Sequence, residues 1–363
     1  MKVNILVPFL NNFGEKGFYQ SQELGLAYAF FNAGIDVTVY KCVKNEIAGI
    51  DTPFPVIYKK VNSIGSHALF NPEKLFKDIP DVLICFSDTQ LILPSLVKYC
   101  KKNTILFIPY VGVTESVEFQ KKVQKSLMDF IFNHYVIRAY KNSDFVFCKN
   151  YDAKQSLKKS GVKESKLRLI PVGMNLKMLN SQAILEDRNA LREKYQISTS
   201  DKVLLFVGRL NNEKRPLEMF NILDQLDDNY KLIIIGSGFL KDEVKRRGSA
   251  YTNRFLYYEK IPYEKMWEFY SVADYYINLW DREIFGMSIL EAIYYLLPTF
   301  LISAPGPRVI SKTLKNSFVV KEVNEISPLI KEYVYNKSSL LQDREQIVKE
   351  FSWDRFVESV VKL

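Results

Sequence analysis

The sequence repeats one pattern along its length: a short, continuous apolar run is followed by a helix-like stretch. Runs such as residues 203–207 and 232–235 are too short for helices and apolar at every position, which is typical of strands buried on both faces. Strands that alternate with helices predict βαβ units, and these form largely parallel sheets. The chain is therefore predicted to be an α/β protein.

This pattern occurs as two series, which predicts two domains. The chain has 363 residues, more than a single core usually supports. The first series opens with residues 3–8 and a helical stretch from about residue 19 to residue 32. Gly34 suits the left-handed conformation that ends a helix. The pattern restarts at residues 202–208, after a polar helical stretch around residues 180–195.

The excess of basic charge is confined to the first half of the chain. Residues 1–177 hold 24 Lys and Arg against 15 Asp and Glu, whereas residues 178–363 hold 26 of each. Around residues 119–132 lysines alternate with apolar side chains, a pattern that favours peripheral contact with anionic lipid headgroups. A solvated helix face explains the same residues. No motif of a nucleic-acid-binding module accompanies the charge, so no nucleic-acid partner is expected.

Two further features bear on location and metal content. No apolar run reaches the about 20 residues that span a bilayer, because residues 289–304 contain Glu291 and Pro298. Residues 1–8 are typical of a strand rather than a secretory signal, so a cytoplasmic location is expected. The cysteines lack C-x-x-C spacing, which predicts buried, reduced thiols and no metal site. They are Cys42, Cys85, Cys100 and Cys148.

Ligands of parallel sheets bind beyond the carboxyl ends of the strands, so the segments after the predicted strands matter most. Residues 208–214 place Arg209 and Lys214 around a strand-to-helix turn, and two converging cations suit a diphosphate. A solvated loop explains this segment when it is taken alone. Residues 236–238 are Gly-Ser-Gly, which permits close approach of backbone to a ligand and equally fits a plain tight turn.

A third segment, residues 283–291, holds a carboxylate, a glycine turn and a helix with a second carboxylate. The N–H groups that open this helix, near residues 286–288, favour phosphate binding. Glu291 lies among apolar residues, so its charge needs a hydrogen-bonding partner, and ribose hydroxyls are good donors. The alternative is a helix-capping Glu283 and a solvated Glu291.

Taken together, these segments resemble glycosyltransferase family 4. Four motifs occur in the family's order: G-R-L-x-x-E-K at residues 208–214, G-S-G at residues 236–238, E-x-F-G-x-x-x-x-E at residues 283–291, and F-S-W-D-R-F at residues 351–356. The first half matches more loosely, through the loop that contains Gly14 and Gly17, residues 80–82, and I-P-V-G-M-N at residues 170–175.

The resemblance implies the GT-B fold, an α/β architecture of two facing Rossmann-like domains with parallel sheets. It predicts an acceptor-binding domain over residues 1–178, a nucleotide-sugar-binding domain over residues 179–345, and a helix over residues 346–363 that packs back on the first domain. It also implies retention of anomeric configuration, a nucleotide-diphosphate sugar as donor, and no required metal or other cofactor.

The family's functional residues carry over at matching positions. Arg209 and Lys214 are expected to neutralise the donor diphosphate, and Glu283 to contact the transferred sugar; these three are the expected catalytic residues. Glu291 is expected to bind the ribose. The remaining expected donor-binding residues are Gly14, Gly17, Gly236, Gly238, Ile261, Phe285, Gly286, Met287 and Ser288. The expected acceptor residues are Tyr110, Gly112 and Glu115.

The chain departs from the family in places that concern recognition of the sugar. Many members carry a histidine before a glycine where this chain has Tyr110-Val111-Gly112, and the usual Pro-Ser ahead of Glu283 is Leu279-Trp280. The charged motif residues are unaffected.

We therefore expect a retaining transferase that builds a surface polysaccharide, such as lipopolysaccharide or capsule, on a glycan or lipid-linked acceptor at the inner face of the membrane. One alternative is a catalytically silent member that acts as a binding subunit of a glycosyltransferase complex. A nicotinamide oxidoreductase is disfavoured, because no dinucleotide-binding motif follows Val7.

Overall fold

A computed structural model describes residues 1–10, 21–45, 49–113, 130, 132–176, 179 and 188–363. The chain divides into two compact units. The first consists of Met1–Asn175 together with Phe351–Leu363, and the second of Leu176–Glu350. Each unit contains a parallel sheet, so the fold class predicted from the alternating pattern is confirmed.

The sheet of the first unit has the strand order β3-β2-β1-β6-β7-β8-β9, and neighbouring strands are parallel. A separate antiparallel hairpin pairs β4 with β5. The strands are β1 (Lys2–Val7), β2 (Asp36–Val43), β3 (Val56–Lys60), β4 (Asn62–Ile64), β5 (His67–Leu69), β6 (Val82–Phe86), β7 (Leu106–Val111), β8 (Val146–Cys148) and β9 (Leu167–Leu169). In the register of the central pair, Val3 lies beside Val82 and Leu6 beside Cys85.

Helices cover this sheet because its strands are apolar on both faces. They are α1 (Gln22–Asn32), α2 (Pro72–Leu75), α3 (Leu93–Lys102), α4 (Ile137–Asn142) and α5 (Tyr151–Lys159), with a π-helical turn at Phe132–Val136 and a 3₁₀ turn at Glu164–Lys166. Gly34 has φ of 73° just after α1, as predicted. All four cysteines are unpaired and buried, which confirms their predicted role as core residues. Burial raises the pKa of Cys42 and of Cys148 to about 12.

The sheet of the second unit has the order β12-β11-β10-β13-β14-β15, again parallel throughout. Its strands are β10 (Lys202–Val207), β11 (Tyr230–Ile235), β12 (Phe255–Tyr258), β13 (Tyr275–Asn278), β14 (Thr299–Ile302) and β15 (Ser317–Val320). Leu204, Leu232 and Phe300 are at most 1% exposed and form part of one core cluster with the helices on that face. The apolar runs of the sequence are therefore the centre of this sheet.

The helices of the second unit follow the strands in alternation. They are α6 (Arg188–Lys194), α7 (Glu218–Asp224), α8 (Lys241–Gly248), α9 (Tyr263–Val272), α10 (Met287–Tyr294), α11 (Pro305–Ser311), α12 (Ile326–Glu332) and α13 (Lys337–Glu350), with 3₁₀ turns at Asn212–Lys214 and Val323–Glu325.

The last helix, α14 (Trp353–Val361), belongs to the first unit, where it packs on α1. Two glycines make room for its first residue. A Cβ on Gly25 would lie 2.4 Å from Nε1 of Trp353, and a Cβ on Gly173 would lie 2.4 Å from the Trp353 backbone nitrogen. Met174 N also donates to the carbonyl of Phe351 at 2.6 Å. The predicted return of the final helix to the first domain is confirmed.

Within the part of the chain that the structure describes, no helix has both the length and the apolar character to cross a bilayer. Most of the basic segment around residues 119–132 lies outside those ranges. The predicted lipid contact of that segment stays a prediction.

Candidate active site

The strand order of the second sheet reverses between β10 and β13. From β10 the chain continues to β11 on one side, and it later returns to β13 on the other side. Crossovers diverge at such a position and leave a crevice beyond the carboxyl ends of the two strands, where open α/β sheets bind ligands. Residues 208–214 follow β10 and residues 279–286 follow β13. Two of the segments identified in the sequence therefore meet at the expected ligand position.

An ion pair joins these two loops. Nζ of Lys214 lies 2.9 Å from Oε2 of Glu283, and the two side chains are only 15% and 10% exposed. Asn278 Nδ2 donates to the same carboxylate oxygen at 3.4 Å. Burial lowers the pKa of Lys214, and the carboxylate of Glu283 opposes that shift. The structure thus brings together two of the residues expected to act on the donor.

The turn after β10 owes its shape to a side-chain cap. Asn211 Oδ1 accepts a hydrogen bond from the backbone N of Lys214 at 3.1 Å, which starts the 3₁₀ turn at Asn212–Lys214. Arg209 lies on the same turn, is exposed, and its positive charge contributes to lowering the pKa of Lys214. The solvated-loop interpretation fits Arg209 but does not fit Lys214, whose ammonium is largely buried.

The Gly-Ser-Gly turn after β11 packs directly against the turn after β10. A Cβ on Gly236 would lie 1.8 Å from the carbonyl oxygen of Gly208, and a Cβ on Gly238 would lie 2.3 Å from the carbonyl oxygen of Leu210. Leu210 N donates to the Ser237 carbonyl at 2.9 Å. Both glycines are therefore required by backbone packing between neighbouring loops. Ile261, also expected to bind the donor, is half-buried in the loop after β12.

The predicted phosphate cradle, Phe285 to Ser288, lies at the start of α10. Gly286 is the N-cap residue with φ of 87° and has no side chain with which to cap the helix. The carboxylate of Glu283 contacts Lys214 and Asn278. Ser288 Oγ pairs with the hydroxyl of Tyr276 at 2.7 Å. This end of the helix carries a partial positive charge, and it follows shortly after Glu283, the acidic member of the ion pair.

Glu291 lies on α10 and is 7% exposed, so the alternative of a solvated carboxylate is wrong. Its Oε2 accepts a hydrogen bond from the Tyr270 hydroxyl at 2.8 Å, and its Oε1 one from Tyr263 at 3.4 Å. Burial raises the pKa of Glu291 to about 7, although both tyrosines act to lower it. A small pocket opens beside the carboxylate, and its other lining residues are Leu179, Tyr263, Glu264, Met266, Trp267, Tyr270 and Tyr295.

Sequence reasoning missed the side chains that hold the site residues in place. Tyr263 and Tyr270 occur seven positions apart on α9, a spacing that puts both on one helix face, and this was the available signal. Trp280 covers Lys214 with its ring, and Arg215 lies 2.8 Å from Asp281 across the two loops. The last two contacts depend on which loops become neighbours, so no local pattern marks them.

The expected residues of the first unit have a different environment. Tyr110 is fully buried in β7, and its hydroxyl has no hydrogen-bond partner among the described residues. Gly112 donates its backbone N–H to Asp88 Oδ1 at 2.6 Å and accepts a hydrogen bond from Asn150 Nδ2 at 3.1 Å. An acceptor contact by the Tyr110 side chain gains no support from this placement. Gly14, Gly17 and Glu115 lie outside the described residues.

Comparison with known sequences points to one family. The family described as "Glycosyl transferases group 1" matches residues 187–350. An uncharacterized glycosyltransferase of Methanocaldococcus jannaschii is 23% identical over 212 residues, which cover 55% of this chain and 54% of the relative. A Bacillus subtilis protein named as a teichuronic acid biosynthesis glycosyltransferase, TuaC, is 21% identical over 170 residues, 47% of this chain and 41% of the relative. The matched regions span about half of these curated relatives or less.

Comparison with solved structures covers the whole chain. Sucrose-phosphate synthase of Thermosynechococcus elongatus has a TM-score of 0.74 at 16% identity, with coverage of 100% of this chain and 98% of that structure. Anabaena HepE in complex with UDP-glucose has a TM-score of 0.69 at 14% identity, with coverage of 99% and 100%. At these identities the likeness establishes the fold.

Proposed function

We propose that this chain, which has the GT-B fold and matches the glycosyl transferases group 1 family over residues 187–350, transfers a sugar from a nucleotide-diphosphate sugar with retention of configuration. One observation carries the proposal most directly: the Lys214–Glu283 ion pair lies at the switch point of the second sheet, next to the start of α10. A buried cation beside a helix N-terminus suits a bound diphosphate.

In the proposed reaction the bond between the sugar and the diphosphate breaks, and negative charge builds up on the leaving phosphate. Lys214, Arg209 and the N–H groups of residues 285–288 would stabilise that charge. Because Lys214 is already held in a largely buried position, little reorganisation is needed when the charge develops. This prearrangement lowers the barrier more than the same cation would in bulk water.

The two glutamates would act on different parts of the donor. Glu283 lies at the end of the β13 loop beside the cation and would contact the transferred sugar. Glu291 would accept hydrogen bonds from the ribose hydroxyls, a task that requires the ionised carboxylate. Since burial raises its pKa to about 7, donor binding is expected to strengthen as the pH rises through that value.

The acceptor is proposed to be a glycan or lipid-linked glycan of a surface polysaccharide, such as lipopolysaccharide or capsule. Two observations support this choice: the relative named for teichuronic acid biosynthesis, and the basic excess of residues 1–177. A basic domain would hold the enzyme at the anionic inner face of the cytoplasmic membrane. We propose a cytoplasmic, peripheral location and no metal requirement, as the family resemblance implies.

The test is a panel of UDP-, GDP-, ADP- and CDP-linked sugars incubated with the purified chain and excess EDTA, with release of the free nucleotide as the readout. We expect one donor to release its nucleotide, and Lys214→Ala to abolish that release. Product NMR with an added acceptor then reports the anomeric configuration. If every donor stays intact while nucleoside diphosphates still raise the melting temperature, the chain is a binding subunit and the proposed activity is wrong.

A further inference from the structure

Trp280 forms one wall of the space that holds Lys214. The centroid of its ring lies 3.7 Å from Nζ of Lys214, which also lies 2.9 Å from Oε2 of Glu283. This is the shortest of the recorded distances between a cation and an aromatic ring in the described residues, the others being 4.5 Å or more. A distance of this size places the ammonium directly over the negative face of the indole, where the attraction is strong.

The polar end of the indole does not explain this position. Nε1 of Trp280 is buried, and no atom of the described residues accepts its hydrogen. The residue is held instead through its backbone N–H, which donates to Asn278 Oδ1 at 3.1 Å. The amide of the same asparagine donates to Glu283 Oε2 at 3.4 Å. Asn278 therefore links the backbone of Trp280 to the carboxylate of Glu283.

A ring face and a carboxylate affect a buried ammonium differently. A carboxylate attracts the cation but cancels its charge and occupies an N–H donor. A ring face attracts the cation through its partial negative charge, and it adds no full negative charge that would offset the charge of the ammonium. An ammonium held by both retains donors for a third, anionic partner.

We propose that Trp280 is a positioning residue that keeps Lys214 charged and directed toward the diphosphate of the donor. This inference rests on the function proposed above. The charged groups acting on Lys214 are Glu283 and Glu213, which favour the charged form, and Arg209, which disfavours it. With the indole absent, burial and Arg209 are opposed by the two carboxylates alone, so the ammonium loses its proton at a lower pH.

Two variants separate the ring face from the indole N–H. Trp280→Leu removes both, whereas Trp280→Phe removes the N–H and keeps a ring. Phe318→Leu serves as the matched control, because Phe318 is a half-buried aromatic residue on β15 at the edge of the same sheet. Calorimetric titration with inorganic pyrophosphate, and with UDP, GDP, ADP and CDP, measures the diphosphate interaction between pH 7 and 10.

For Trp280→Leu we expect about tenfold weaker binding of pyrophosphate and a shift of the alkaline loss of binding to lower pH. Trp280→Phe should retain most of the affinity, and Phe318→Leu should match the wild type. The ring contact would be incidental if the wild type and Trp280→Leu bound pyrophosphate with equal affinity and lost binding at the same alkaline pH.

Site-specific incorporation of fluorinated tryptophan at position 280 gives a second test, which leaves the shape of the side chain nearly unchanged. Successive fluorine atoms weaken the negative face of the ring and keep the N–H, so the dissociation constant should rise stepwise with their number. A flat series contradicts the proposal even if Trp280→Leu fails to fold. If the unmodified wild type binds neither pyrophosphate nor any nucleoside diphosphate, the proposed function fails, and this inference with it; a wild type that binds beside a flat series overturns the inference alone.

Discussion

Both sheets of this chain reverse their strand order next to a central strand, but the side chains at the two reversals have different partners. In the first unit the reversal lies between β1 and β6, and Asp88 follows β6. Its Oδ1 accepts hydrogen bonds from the backbone N–H groups of Gly112 and Val113, at 2.6 and 3.1 Å. In the second unit, the Lys214–Glu283 pair joins the loops after β10 and β13 through side chains alone.

This difference distinguishes a charged group with a structural role from one that can accept a new charged partner. A carboxylate that accepts backbone N–H groups cannot leave without depriving these donors of their partner, so we expect Asp88 to be part of the scaffold. A side-chain pair between two loops can accept a third charged group without breaking any backbone hydrogen bond. The same topology therefore provides a braced loop in one unit and a candidate anion site in the other.

The sharpest test of this comparison is Lys214→Ala. We expect kcat/KM for the donor to fall at least 100-fold, about 3 kcal/mol, because the buried cation acts on charge that develops in the transition state. Lys231→Ala is the matched control. Nζ of Lys231 lies 2.9 Å from Asp201, the two side chains are 16% and 12% exposed, and Lys231 lies near the amino end of β11, away from the ligand edge.

The two lysine variants remove ion pairs of nearly equal burial, so similar changes in melting temperature are expected for both. Only Lys214→Ala should lose turnover. If both variants lose activity to the same degree, the position of the ion pair at the reversal has no functional meaning, and the comparison between the two sheets fails.

The sequence was sufficient for the features that depend on local pattern. Continuous apolar runs indicated the strands of both sheets except β3 (Val56–Lys60), whose residues are only partly apolar. Gly34 was correctly given a positive φ, and the terminal motif located the returning helix. The charged loops were also placed at strand ends, since parallel strands share one carboxyl edge. Residues 208–214 and 283–286 were recognisable because their charges and glycines are unusual for plain connections.

What the sequence did not reveal depends on strand order and on packing between distant segments. The ring of Trp280 reaches Lys214 only because β13 lies beside β10, and nothing local specifies that neighbour. Glu291 was expected to need a polar partner, yet the tyrosines that supply it come from α9, a separate helix. The burial of Tyr110 was likewise unexpected, because it results from packing against Phe356 of the returning helix, with ring centroids 5.1 Å apart.

Asp88→Ala tests the scaffold side of the comparison. Loss of an acceptor for two backbone N–H groups should destabilise the first unit by about 2 to 3 kcal/mol, seen as a lower melting temperature or urea midpoint. Asp88→Asn keeps an acceptor oxygen and a residue type that tolerates the φ of 32° found here, so its loss should be clearly smaller. The affinity for nucleoside diphosphates should be unchanged in both variants. A large fall in affinity would show that Asp88 contributes to the binding site and is not only a structural residue.

Glu291→Gln tests the second unit through its pH dependence. The folded state raises the pKa of this carboxyl from 4.5 to about 7, so between those values the folded chain holds a proton that the unfolded chain has lost. Wild-type stability should therefore fall as the pH rises through this window and stay level above it. Glutamine has no such titration, so the variant should gain on the order of 1 to 3 kcal/mol over the wild type at pH 8 and little near pH 4.5.

Urea unfolding of wild type and Glu291→Gln at several pH values measures this difference. The same variant should bind the nucleoside diphosphate released in the donor panel about tenfold more weakly at pH 8, because a neutral amide is a poorer acceptor for ribose hydroxyls. A variant that is both less stable and equally tight in binding would show that Glu291 is a structural residue, comparable to Asp88.

The smallest effects are expected from substitution of the two tyrosines that contact Glu291. These variants test whether the buried carboxylate has a structural role or binds the nucleotide. Tyr270 donates at 2.8 Å and Tyr263 at 3.4 Å, so the first bond should contribute more to keeping the carboxylate ionised. Tyr270→Phe removes one hydroxyl, which should raise the pKa of Glu291 further and move the pH midpoint of nucleotide binding upward, with a loss of about 1 kcal/mol at pH 7. Tyr263→Phe should produce the same shift in weaker form. If neither variant moves the pH midpoint of nucleotide binding, the titrating group is not Glu291. The carboxylate of Glu291 then has a structural role, as Asp88 has in the first unit.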